Sequence, residues 1–165
     1  MRRIDLLIGA LRDPLPISDV VQEPLFEDRL TVVARPGHPL VGTGPLTAGD
    51  LAGQSWIVPR AGTPARLQFD AFFSDAGEAP PESLVEAGSI LLMRELLARG
   101  DILGCISEAQ AEAEITKGLL TPLEVTAGWR ARPIGLTLRE GWLPTQAQSL
   151  LLDLLREEAV LHHRL

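Results

Sequence analysis

Three times in the middle of the chain, a short apolar run is followed by a small hydroxyl residue and then by a stretch with helical periodicity. Residues 54–59 lead to Thr63-Pro64, residues 83–86 to Ser89, and residues 102–106 to Ser107. Each apolar run has the length and branching of a strand. Each hydroxyl is a good N-cap, because its oxygen can accept an N–H that the first helical turn leaves unpaired. Pro64 suits the first helical position, where a missing N–H costs nothing. Ser107 and Gln110 have capping-box spacing. Gly77, Gly100 and Gly118 close the three helices, and Leu67, Phe69, Phe72 and Phe73 form the apolar side of the first. Strand–helix repetition of this kind predicts an α/β fold with a mainly parallel sheet. Such sheets bind ligands at the carboxyl ends of their strands, so Thr63, Ser89 and Ser107 should lie near one edge.

Residues 26–40 link this middle to what precedes it. Their centre, residues 30–34, is a β-branched run that Arg35-Pro-Gly-His-Pro39 stops, and it reads as a crossover strand between two lobes. Residues 4–9 are almost wholly apolar, as in a strand buried on both faces, and residues 20–25 form a shorter strand that Pro24 places at an edge. Thr47 caps a single helical turn, with Asp50 favouring its positive end. Residues 119–123 are extended and residues 126–132 a loop, and residues 133–138 form the last strand. Thr145 and Gln148 open a C-terminal helix, with Leu150, Leu151, Leu154 and Leu155 on its apolar face and residues 160–165 as a frayed tail.

With 165 residues, 45% hydrophobic and 22% charged, the chain can bury a real core in one domain or two small lobes. A net charge of −7 argues against gripping nucleic acid unaided. Cys105 is the single cysteine and sits in a strand-like run, where a buried core thiol is expected. No segment is long enough to span a membrane and no secretory signal is legible, so a cytoplasmic protein is expected. No nucleophile elbow, phosphate-cradling loop, dinucleotide fingerprint or zinc-protease motif occurs. His38 lies in a turn and His162-His163 in the tail, and Glu108, Glu112 and Glu114 have the spacing of a solvated face. The expectation is a protein without catalysis, metal or cofactor.

Taken in order, Ile4-Asp-Leu-Leu-Ile-Gly9, the crossover, His38-Pro-Leu40, Leu46 with Asp50-Leu51, Ser55-Trp-Ile-Val-Pro59, Glu86-Ala-Gly-Ser89 and residues 118–123 resemble the effector-binding domain of LysR-type transcriptional regulators. Arg132-Pro-Ile-Gly-Leu-Thr137 and the Leu-rich helix are similar to the branch responding to aromatic and sugar-derived acids. The resemblance implies a two-lobed α/β fold like that of type 2 periplasmic binding proteins, joined by two crossover strands. Its first lobe, incomplete here, would comprise residues 1–25 plus 130–165, and its second residues 26–129. It also implies a small organic acid effector in the interlobe cleft, modulation of transcription through rearrangement of a homo-oligomer (dimer or tetramer), and DNA contact only through a winged helix-turn-helix absent from this chain.

Candidate effector contacts are Ala10 and Leu11 after the first strand, Gly62, Thr63, Pro64 and Arg66 in the capped turn, Ser89, and Ser107. The Gly-Thr turn is either an anion-binding helix start or a plain cap. Arg66 is either an anion partner or a surface residue. A stand-alone solute-binding protein of the same fold is the alternative reading. Because the first strands of the implied first lobe are absent from the chain, association through that lobe's exposed edge is expected.

Overall fold

The computed structural model describes residues 4–15, 17–82, 84–126 and 129–162. The chain divides into two compact units, Met1–Asp28 with Ala131–Leu165 and Arg29–Arg130, so the backbone passes twice from one to the other.

The second unit holds a five-stranded sheet ordered β5-β4-β6-β3-β7. Its strands are β3 (Leu30–Ala34), β4 (Ser55–Val58), β5 (Leu84–Glu86), β6 (Ile102–Ser107) and β7 (Thr121–Leu123). Ser83, at the start of the expected strand 83–86, lies outside the described residues. The helices are α1 (Ala48–Ala52), α2 (Pro64–Asp75), α3 (Ile90–Leu97) and α4 (Glu108–Thr116). Strand side chains alternate between two cores. Trp56, Val58, Leu30, Val32, Leu103 and Cys105 pack with α1 and with Phe69, Phe72 and Phe73 of α2. Ile57, Val33 and Ile106 pack on the opposite side with Met93 and Leu97 of α3 and Ala111 of α4. The sheet therefore lies between two helical layers. Gly104 lets α3 approach, since a Cβ there would meet Met93 Sδ at 3.0 Å and Leu97 Cδ1 at 3.1 Å. Leu67, expected on the apolar side of α2, is instead 63% exposed.

The expectation of a mainly parallel sheet needs correction. β4 is parallel to β5 and β6, but β3 is antiparallel to both β6 and β7. β3 enters from the other unit and not through a helical crossover, so nothing forces it to run with its neighbours.

The first unit is an all-antiparallel sheet, β1-β8-β2, of Leu6–Ala10, Arg132–Arg139 and Val20–Asp28. Pro24 does lie in an edge strand, and the register shifts between Pro24 and Phe26. The strand expected to be buried on both faces is the other edge, with Leu7 54% and Ile8 46% exposed. An apolar run alone does not reveal which face is covered. Helix α5 (Gln146–His162) packs on the face carrying Glu23 and Leu136, where Arg156 grips Glu23 through two bonds of 2.7 and 2.8 Å. Its buried residues are Leu152 and Ala159 and Leu155 is half-buried, whereas Leu150, Leu151 and Leu154, expected on the same apolar face as Leu155, are exposed. Helix also continues to His162, through part of the expected tail. His163 lies outside the described residues. No helix among the described residues is long and apolar enough to cross a membrane.

Candidate functional site

The three hydroxyl residues occupy the positions their spacing assigned. Thr63 Oγ1 accepts the Arg66 N–H, Ser89 Oγ the Leu92 N–H and Ser107 Oγ the Gln110 N–H, each at 3.3 Å. Their helices follow β4, β5 and β6, which are parallel neighbours, so all three starts lie at the carboxyl edge of one three-stranded segment. Gly62 precedes Thr63 with φ of 76°, a left-handed conformation that favours glycine.

How much anion-binding capacity remains follows from counting donors. The Thr63 hydroxyl proton is already used, because it donates to Arg60 O at 2.8 Å. Pro64 has no N–H, and the Arg66 N–H is capped, so the Ala65 N–H is what α2 still offers. At α3 the Ile90 and Leu91 N–H groups precede the capped Leu92. At α4 the Glu108 N–H is used by Arg29 O at 2.8 Å, and Ser107 is buried. Arg66 is neither a free anion partner nor a loose surface side chain. Its Nε meets Asp70 and its Nη1 meets Glu86, both at 2.8 Å. These contacts, first the hydrogen bond to Asp70, raise its pKa further above the ordinary guanidinium value. The pair to Glu86 ties α2 to the end of β5 at the edge where the helix starts gather. Ala10 and Leu11 close β1 in the first unit, where the Leu11 N–H donates to Pro133 O at 2.9 Å.

His38 behaves as a turn residue: its Nδ1 accepts the Leu40 N–H at 3.2 Å while its carbonyl accepts the Val41 N–H at 2.9 Å. Glu114 departs from the solvated face assigned to it, since it is buried and its carboxylate lies 3.4 Å from Arg94. Cys105 is buried in the core beside Val32 and Leu103. Sequence reasoning missed a cavity of about 550 Å³ beside the later turns of α2, lined in part by Gln68, Phe72 and Trp129. A lone Trp129 in a segment read as loop was its only signal.

Comparison with solved structures identifies the fold. The Synechocystis PCC6803 CcmR regulatory domain, solved in complex with 2-PG, has a TM-score of 0.75 at 22% identity, over 94% of this chain and 73% of that one. The cofactor-binding domain of the Cbl transcriptional regulator gives 0.75 at 24%, over 96% and 70%. The fold is thus the α/β, type 2 periplasmic-binding-protein-like fold of such regulatory domains.

The family follows directly. Residues 1–160 match the LysR substrate binding domain, and the chain belongs to that family. It is similar to the transcriptional regulator GalR of Pseudomonas putida, at 39% identity over 154 residues, covering 93% of this chain and 38% of that protein. PcaQ of Agrobacterium fabrum is 28% identical over 156 residues, covering 94% and 50%. The chain therefore spans half or less of the length of these curated relatives, all of them named as transcriptional regulators.

Proposed function

We propose that this chain is the effector-sensing part of a cytoplasmic LysR-type transcriptional regulator and has no catalytic activity of its own. Its two units act as the two lobes, and its effector is a small organic acid, aromatic or sugar-derived. The observation that carries the reading is the convergence of three capped helix starts on one carboxyl edge of the second unit. Outward N–H groups at Ala65, Ile90 and Leu91 sit at the positive ends of α2 and α3, which suits a carboxylate. Gly62, Thr63, Pro64, Ser89 and Ser107 shape that edge. Arg66 holds the edge together, its charge being spent on Asp70 and Glu86. GalR and PcaQ are regulators by name, and CcmR was solved with a bound 2-PG, which supports an effector role here. Occupancy would alter how subunits pair in a homo-oligomer, while DNA is read by a winged helix-turn-helix elsewhere in the regulator.

The test is a thermal-shift panel of aromatic and sugar-derived acids, followed by amide chemical-shift mapping of any that stabilise. A ligand of the folded state must raise the apparent melting temperature. The expected acid does so and perturbs the amides of Ala65, Ile90 and Leu91. If no acid stabilises the chain, or if the perturbed amides lie away from that edge, the reading fails.

A further inference from the structure

The cavity beside α2 belongs to none of the helix starts, and we infer that it is a separate binding site for a small aromatic zwitterion, such as an aromatic amino acid. Leu67, Gln68, Phe72 and Asp75 of α2, with Trp129 and Arg130, form most of its wall. Its volume of about 550 Å³ lies in the range of small-molecule sites.

The wall has three kinds of group, and each selects a part of the guest. Trp129 stacks on Phe72 with centroids 4.7 Å apart and planes 29° apart, giving a flat apolar surface beside the exposed Leu67. An aromatic ring fits such a surface better than an aliphatic chain, because stacked or edge contacts add to plain area burial. Two polar atoms in the wall, Gln68 Oε1 and Trp129 Nε1, are buried and lack any hydrogen-bond partner among the described residues. One is an acceptor and the other a donor, and buried groups of this kind are seldom left unmatched. Finally, Asp75 and Arg130 are both exposed and make no ion pair among the described residues. An ammonium group matches Asp75 and Gln68 Oε1, and a carboxylate matches Arg130 and Trp129 Nε1–H. A simple aromatic acid would leave Asp75 opposed to its charge, and a simple amine would do the same at Arg130. The zwitterion satisfies both.

The wall is also fixed in place, which lowers the cost of binding. Phe69 and Phe73, on the inner side of the same helix, are fully buried against Trp56, with Phe69 and Trp56 centroids 5.1 Å apart. The Arg66–Asp70 pair braces the first turns of α2.

The experiment titrates L-phenylalanine into the uniformly ¹⁵N-labelled chain and follows the indole N–H signals, with Trp129→Phe identifying the Trp129 signal. A saturable shift of the Trp129 indole is expected, while that of Trp56, already bonded to Leu51 O at 3.1 Å, stays in place. Asp75→Asn and Arg130→Gln, both at exposed positions, should each weaken binding by about tenfold, the usual worth of one charge-assisted contact. Phenylacetate and phenethylamine, each lacking one charge, should bind correspondingly more weakly. Absence of a saturable shift overturns the proposal, as does wild-type affinity in both variants. A response at the amides of Ala65, Ile90 and Leu91 in place of Trp129 also overturns it, and would instead speak for the effector edge. Failure of the acid panel at that edge leaves this result untouched, so the two readings stand or fall separately.

Discussion

At the scale of single residues, His38 and Gly135 show how local chemistry constrains the chain. The His38 imidazole is buried, and its Nδ1 can accept the Leu40 N–H only while that nitrogen is unprotonated. Burial is the main cause holding its pKa below 6.5, with Arg35 adding to the effect and Asp101 opposing it. A lowered histidine pKa means the unfolded chain binds the extra proton first. Its contribution to stability is therefore complete above about 6.5 and is lost as pH falls below it. Chemical denaturation followed across that window should show stability declining toward acid. His38→Asn keeps an acceptor near the Nδ1 position and should flatten this part of the profile. An unchanged slope would show that another group titrates there. Gly135 illustrates a steric limit: a Cβ at this position would run into the carbonyl of Glu23, with Pro24 Cα at 2.9 Å. Because those atoms are backbone at the β2 irregularity, Gly135→Ala must displace a strand and should cost about 2–4 kcal/mol in urea denaturation. A cost within half a kcal/mol would mean that β2 can shift freely.

At the scale of elements, Arg156 makes the link between α5 and β2. Its bidentate grip on Glu23 lowers that carboxylate's pKa below 4.5, the Arg156 hydrogen bond being the larger cause and its charge adding to it. Both side chains are more than a third exposed, so solvent screening limits the pair to about 1 kcal/mol or less. Arg156→Met, which preserves most of the stem's packing, should lower stability by that amount at neutral pH. Because the carboxylate pKa is depressed in the folded state, the difference should vanish as pH falls through and below 4.5. A pH-independent loss would assign the effect to packing. Elements are also where the limits of reading a sequence become visible. Thr63, Ser89, Ser107 and Thr145 were legible because a cap is a local hydrogen bond set by spacing alone, and all four cap as expected. The covered side of α5 was not legible, since leucines line both sides and the buried residues are Leu152 and Ala159. The same holds for β1, whose apolar run fits a central strand as well as the edge it forms. Charge pairing across elements was equally hidden: nothing local to Arg66 announces Glu86, twenty positions away.

At the scale of the whole molecule, the described residues of the first unit include several large apolar side chains that are exposed. β1 pairs only with β8 among the described residues, and Leu6–Ala10 carries neither charge nor proline, the usual protections of an edge strand. Leu7 and Val21 are each 54% exposed, and Leu150, Leu151, Leu154 and Leu161 run along the outer side of α5. The spacing of these four leucines is that of a helix face seeking a partner. Apolar surface of this kind drives association, because its removal from water is favourable wherever a second apolar surface is available. The chain should therefore elute above its monomer mass in size-exclusion chromatography with light scattering, increasingly so with concentration. Two separate variants distinguish the surfaces. Leu150→Glu with Leu154→Glu charges the helix face, and Leu7→Lys charges the strand edge. Neither variant touches a buried residue, so melting temperature should hold within a few degrees while the dominant surface's variant returns the chain to a monomer. If the unaltered chain is monomeric at its highest attainable concentration, this apolar surface does not drive association, and the first unit is stable with its edge open to water.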